Sequence, residues 1–184
     1  MKFIITTCIF SQSWKSRTAP NVGEFLQKHE ILITPSTLID IELGIARAAD
    51  ADPSQAALLR EWLKIERHRF RIAAEQGETF QKALAKLIAC KPIQGLWTCS
   101  PSAKQFAFRQ TLWVAAAAIA TELPIATKSV RSYAEIDQHI RLPGIYNPVE
   151  MIWHVRKAAP RNRTRSTSRM ADIGISTPAI RTHN

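Results

Sequence analysis

Cysteine is scarce in this chain. Cys8, Cys90 and Cys99 are the only three among 184 residues, too few and too scattered for a disulfide framework or a zinc knuckle. A reduced, cytoplasmic setting is the simpler expectation. No CxxC pair, glycine-rich phosphate loop or Ser/His/Asp order occurs. The histidines, His29, His68, His139, His154 and His183, are spread out with no close ligand pair. Structural or surface roles are expected for them. A long hydrophobic run is missing as well. The apolar stretch Phe3–Phe10 is too short to cross a bilayer and is followed by polar residues. It lacks the basic start and long apolar core of a signal peptide. A buried strand is expected there, and no membrane association.

Acidic residues are also in deficit. Fifteen Asp and Glu face 25 Lys and Arg, a net charge of +10. The imbalance is concentrated at the end. Residues 151–184 carry Arg156, Lys157, Arg161, Arg163, Arg165, Arg169 and Arg181 against the lone acid Asp172. Such a tail favours polyanions through counterion release, without sequence selectivity. It also reads simply as a solvated extension. The rest has the composition of a globular protein, 46% hydrophobic and 22% charged, enough to bury a sizeable core. The expected organisation is one domain over 1–150 and a basic, flexible tail over 151–184.

Apolar runs and breakers give the elements. Phe3–Ile5 reads as a central strand, with one or two helical turns near Ile9–Trp14. A helix starting at Pro20 or Asn21 extends to about Lys28, followed by the short apolar run Ile31–Ile33. Thr34 then reads as an N-cap with Pro35 at the first helical position. The helix 35–49 carries Leu38, Ile39, Ile41, Leu43, Ile45 and Ala46 around much of its surface. Such a helix is expected to be mostly buried. Asp40 inside it therefore stands out, because a buried carboxylate costs several kcal/mol (~2–7 for even a neutral polar group) unless paired or bound to metal.

Further helices are expected over 53–70, 78–89 and 105–122, with a loop over 91–103 and short strands at 71–74, 125–126 and 145–146. The run Ala115–Ala118 has side chains small enough for close packing on a sheet. Strands alternating with helices imply a three-layer α/β fold, a small parallel sheet flanked by helices. Ligands of such sheets bind beyond the carboxyl ends of the strands. Thr6 follows the first strand and Thr127–Ser132 follows the third.

Three segments carry a family resemblance. They are FIITTCIFSQ (3–12), ITPSTLIDIELGIAR (33–47) and LWVAAAAIATELPIATKSVRSYAE (112–135). Together they resemble the PIN-domain ribonucleases of bacterial toxin–antitoxin systems, the VapC and FitB group. The resemblance covers roughly 3–150, loosely between 67 and 107, and not the tail. It implies a PIN-like fold, a dimer, an antitoxin partner and RNA as substrate. It also implies three or four acids holding Mg²⁺ or Mn²⁺.

The positions matching those acids are Thr6, Asp40, Thr111 and Ser132, and only Asp40 is acidic. Thr7, Cys8 and Ser129 match neighbouring site positions. Mg²⁺ prefers oxygen ligands and commonly uses carboxylates, and the family's chemistry needs the ion to activate water. Metal binding is therefore expected to be weak or absent, and cleavage impaired. A shifted register bringing in Glu135 or Asp137 is the route back to activity. Glu42, about 200° around the helix from Asp40, should face elsewhere. Asp40 reads as a metal ligand, as the partner of a nearby basic residue, or as part of a hydroxyl network with Thr6 and Thr111. Two functions stay open: an impaired RNA endonuclease toxin, or a non-catalytic module that binds antitoxin or RNA.

Overall fold

The computed structural model describes residues 1–14, 19–98 and 110–156. Six strands form one sheet in the order β3-β2-β1-β4-β5-β6. They are β1 (Lys2–Ile5), β2 (Glu30–Ile33), β3 (Arg71–Ile72), β4 (Ile125–Ala126), β5 (Ile145–Asn147) and β6 (Ile152–Val155). The first five are mutually parallel, and β6 pairs antiparallel with β5. The helices are α1 (Thr7–Phe10), α2 (Pro20–Lys28), α3 (Pro35–Ala51), α4 (Pro53–Glu66), α5 (Glu78–Ala89), α6 (Thr111–Thr121) and α7 (Val130–His139). This is the expected PIN-like α/β arrangement.

The alternation of side chains along a strand divides the core into two layers. In β1, Phe3 and Ile5 face one side and Ile4 the other. Phe3 and Ile5 join Phe10, Phe25, Ile33, Ile41 and Leu63, so α1–α4 cover that face. Ile4 joins Leu87, Val114, Ile125 and Ile136, so α5–α7 cover the opposite face. Ala115–Ala118 are fully buried there, as their small side chains suggested. Among the described residues, no helix is long and apolar enough to cross a membrane.

Local signals act as expected at several helix starts. Thr34 accepts a hydrogen bond from the Thr37 N–H at 3.1 Å, with Pro35 opening α3. Asp52 accepts from the N–H groups of Ser54 and Gln55, both at 3.0 Å, and opens α4.

Other expectations are corrected. α3 is not mostly buried: Ile41 and Ile45 are, whereas Ile39 is 53% exposed and Leu38 and Leu43 are half-buried. Its apolar residues occupy two faces, and the described residues bury only one of them. α4 ends at Glu66 rather than near residue 70, and Lys91–Leu96 forms a 3-10 segment instead of open loop. Sheet structure also continues past residue 150, because β6 lies within the stretch assigned to the tail. The expected helical residues 105–109, the end of the 91–103 loop and residues 157–184 lie outside the described residues.

Candidate functional site

Sheet order places the site. The chain leaves β1 toward β2 on one side and later returns to β4 on the other. The carboxyl ends of β1 and β4 therefore lie at a topological switch point, where the two crossovers diverge and leave a crevice. The Thr6 N–H donates to the Ala126 carbonyl at 3.3 Å, which ties the two strand ends together. A cleft of about 290 Å³ opens there.

Its floor is a hydroxyl and thiol network. Thr6 and Thr127, both buried, meet through a hydrogen bond from Thr6 Oγ1 to Thr127 Oγ1 at 3.0 Å. Thr127 Oγ1 also accepts from the Ser129 N–H at 3.0 Å, fixing the turn into α7. Cys8 Sγ lies 3.1 Å from Thr6 Oγ1 and 3.6 Å from Thr127 Oγ1, and accepts from the Lys128 N–H at 3.3 Å. Burial pushes the Cys8 thiol up. Hydrogen bonds from Thr6, Thr127, Lys128 and Ser129 outweigh it and bring the thiol below its usual range.

The walls come from three helices. α3 contributes Asp40, α6 contributes Thr111 from its first turn, and α7 contributes Tyr133. Gln110 occupies the N-cap position of α6 without a side-chain capping bond, and its Nε2 donates instead to Asp40 Oδ2 at 3.1 Å and to Thr7 Oγ1. Among the described residues the buried Gln110 Oε1 atom has no partner. Burial, reinforced by the charges of Cys8 and Asp40, holds the Tyr133 phenol far above its ordinary range. It stays protonated and available as a donor.

The structure thus gathers Thr6, Thr7, Cys8, Asp40, Thr111 and Ser129 around one cleft. Ser132 is not among the lining residues; its neighbour Tyr133 is. Glu135 and Asp137 do not line the cleft either, and Asp137 Oδ1 accepts from the Leu142 N–H at 2.7 Å. Glu42 lines a separate groove with Leu38, Ile39, Leu43, Leu63 and Arg67. Gln110, Thr127 and Tyr133 were missed as site residues. Thr127 was placed beyond the third strand, as Thr6 is beyond the first, but matched none of the family's acidic positions. Gln110 stands immediately before Thr111, but a neutral amide carries no metal signature to find it by. The network also differs from the expected one: Asp40 is bonded to Gln110, while Thr6 is bonded to Cys8 and Thr127.

This donor set does not fit a hard divalent ion. Mg²⁺ binds through carboxylates and other oxygens, and among the described residues the cleft offers one carboxyl group, already hydrogen-bonded to an amide. The Thr6 and Thr127 hydroxyls are neutral and bonded to each other. Among the described residues, no three His, Cys, Asp or Glu side chains come together to hold a metal.

No protein-family model matches the sequence, and no curated protein matches it significantly. Solved structures do match in fold. A chain of FitAcB from Neisseria gonorrhoeae aligns at TM-score 0.56 and 18% identity, covering 80% of this chain and 98% of that one. A chain of VapBC2 from Rickettsia felis, bound to a DNA fragment from their promoter, aligns at 0.54 and 15% identity, covering 83% and 99%. A chain of VapBC-1 from nontypeable Haemophilus influenzae aligns at 0.51 and 15% identity, covering 75% and 94%. At these identities the likeness is one of fold.

Proposed function

We propose that this chain is a PIN-like protein of the toxin–antitoxin type whose cleft binds RNA without metal-dependent cleavage. The observation that carries the reading is the composition of the cleft among the described residues: one carboxyl group beside hydroxyl, amide, thiol and phenol groups. The fold shared with FitAcB and VapBC chains supports descent from an RNA endonuclease of the VapC and FitB group. Thr and Ser in place of acids remove the charges that would hold Mg²⁺ or Mn²⁺. They also remove repulsion toward a phosphate, and the +10 net charge favours a polyanion.

The test is a mixed RNA pool incubated with the purified full chain in Mn²⁺ or in EDTA. Salt-sensitive binding is expected, with identical RNA lengths under both conditions. Metal-dependent shortening of the RNA by the unaltered chain would refute the proposal. Two restored forms belong beside it, each with Thr6→Asp and Thr111→Asp, one adding Ser132→Asp and the other Ser129→Asp. Cleavage by the first supports the family register at Ser132. Cleavage by the second places the fourth acid at the lining residue instead.

An antitoxin partner is the second part of the reading. It is favoured by the groove of about 490 Å³ along the uncovered face of α3, where Ile39 is 53% exposed. Apolar surface of this kind marks an interaction site. Co-expression with the product of an adjacent reading frame, followed by co-purification, is the check. Ile39→Glu should release such a partner and leave RNA binding in place. A homodimer belongs to the same reading, and light scattering on the isolated chain tests it.

A further inference from the structure

We infer that the small apolar slot adjoining the cleft is a stacking subsite for one nucleobase. The base would belong to the nucleotide whose phosphate lies against the cleft, so the inference rests on the RNA-binding reading above. The slot has a volume of about 190 Å³ and is walled by Trp14, Trp62, Ile41, Ile45 and Leu59, with Gly44 on α3. It shares Thr7 and Asp40 with the polar cleft and so lies directly beside it. A ligand filling both must join a flat apolar part to a polar or anionic part. A nucleotide has that construction.

The aromatic walls argue for a ring. Trp14 and Trp62 stand edge to face, with centroids 5.8 Å apart and planes at 60°. Trp14 is 38% exposed, so part of its surface is open to a stacking partner. Among the described residues the buried Trp62 Nε1–H has no acceptor, an unusual state for an indole in a native core. The volume is well below the roughly 300–1,000 Å³ of sites that enclose a whole drug-sized ligand. It suits one ring system, with the remainder of the nucleotide outside. Gly44 leaves the slot unobstructed, since a Cβ there would meet no heavy atom within 4 Å. Stacking on indole accepts any base, because every base has a π-face.

The slot is distinct from the groove assigned to a protein partner. The two share no lining residue. Asp40, Ile41, Gly44 and Ile45 turn toward the slot, while Leu38, Ile39, Glu42, Leu43 and Ala46 line the groove. The helical repeat of α3 thus separates the two faces. The positively charged chain and the polar neighbour favour RNA at the slot, and the wider apolar groove suits protein.

The experiment measures affinity of the full chain for a labelled single-stranded RNA octamer, and for the same octamer with abasic sites. The variants are Trp14→Ala, which removes a partly exposed ring, and Gly44→Leu, which fills the slot from an exposed helix position. Each variant is expected to bind the intact octamer roughly tenfold more weakly, the usual scale for loss of one stacked base. The abasic octamer should bind weakly to the wild-type chain and be indifferent to Trp14→Ala. Unchanged affinity of both variants for intact RNA would overturn the stacking subsite and leave the RNA-binding reading standing. An abasic octamer that binds as well as the intact one would do the same. A wild-type chain with no affinity for either RNA would overturn both. Loss of a protein partner with full retention of RNA affinity would reassign the slot to protein and refute the inference.

Discussion

Gln110→Glu is a nearly isosteric change that turns a donor into an acceptor at the most sensitive contact of the cleft. Gln110 Nε2 lies 3.1 Å from Asp40 Oδ2. With a carboxylate in its place, two like charges sit at that distance. Their repulsion is about 1 kcal/mol at the dielectric of water and about 5 kcal/mol at an effective value of 20. Asp40 and Gln110 are half-buried, so a figure between these limits applies. Loss of the hydrogen bond to a charged acceptor adds about 1.5–3 kcal/mol. For a chain of this size each kcal/mol lowers Tm by about 2–4 °C, so a fall of roughly 5–30 °C is expected at neutral pH.

The pH dependence has a defined sign. In the variant, repulsion raises the pKa of the carboxyl pair in the folded state above its unfolded value. Such groups leave stability intact below the unfolded pKa, about 4 for carboxyls, and remove it as pH rises through the folded value. The Tm difference from wild type should therefore be small near pH 4 and grow toward pH 7. The pair also supplies the second carboxylate that a divalent ion needs. Mn²⁺ should restore part of the lost Tm in Gln110→Glu and have no such effect on the wild-type chain. The assay is thermal unfolding by circular dichroism across pH, with Mn²⁺ or EDTA. A variant with wild-type Tm at pH 7 and no response to pH or Mn²⁺ would refute the Asp40–Gln110 contact and the description of the cleft built on it.

Three further outcomes follow from the same geometry. Cys8 should be alkylated by iodoacetamide at lower pH than an ordinary thiol of pKa about 8.5, and Thr127→Val should shift its profile upward by removing donors; peptide mapping that finds Cys8 reacting like an unfolded cysteine contradicts this. Thr34→Ala should cost about 1–2 kcal/mol through loss of the cap on α3, and denaturant unfolding with an unchanged midpoint would rule the cap unimportant. Leu87→Ala, at a fully buried position on the inner face of α5, should cost about 2–5 kcal/mol, measured as a lower urea midpoint with an unchanged slope.

Local structure was legible in the sequence where the signal is itself local. Pro20 and Pro35 open helices because proline has its φ already fixed and lacks an N–H the first turn would leave unpaired. The amphipathic stripe of α5 gives its bounds, Glu78–Ala89, because the 3.6-residue repeat needs no distant partner. The short strands β4 and β5 were found from apolar runs alone, with β5 one residue longer than expected. In contrast, β6 was missed: Ile152–Val155 is held by pairing with β5, and its alternating pattern is short and sits beside a basic segment.

The deficit of acids at the expected positions was also plain from the residues themselves, since charge is a property of the side chain and not of its surroundings. What fills the cleft instead was decided by the tertiary structure. The Thr6–Thr127 hydrogen bond joins residues 121 positions apart, and only the adjacency of β1 and β4 brings them together. Gln110 becomes a site residue because the N-terminus of α6 meets Asp40 on α3. The two faces of α3 carry similar apolar residues. Packing against the sheet buries Ile41 and Ile45 on one and leaves Ile39 open on the other. Composition specifies which residues prefer to leave water, but a helix touching the sheet along one line can bury only the face turned toward it.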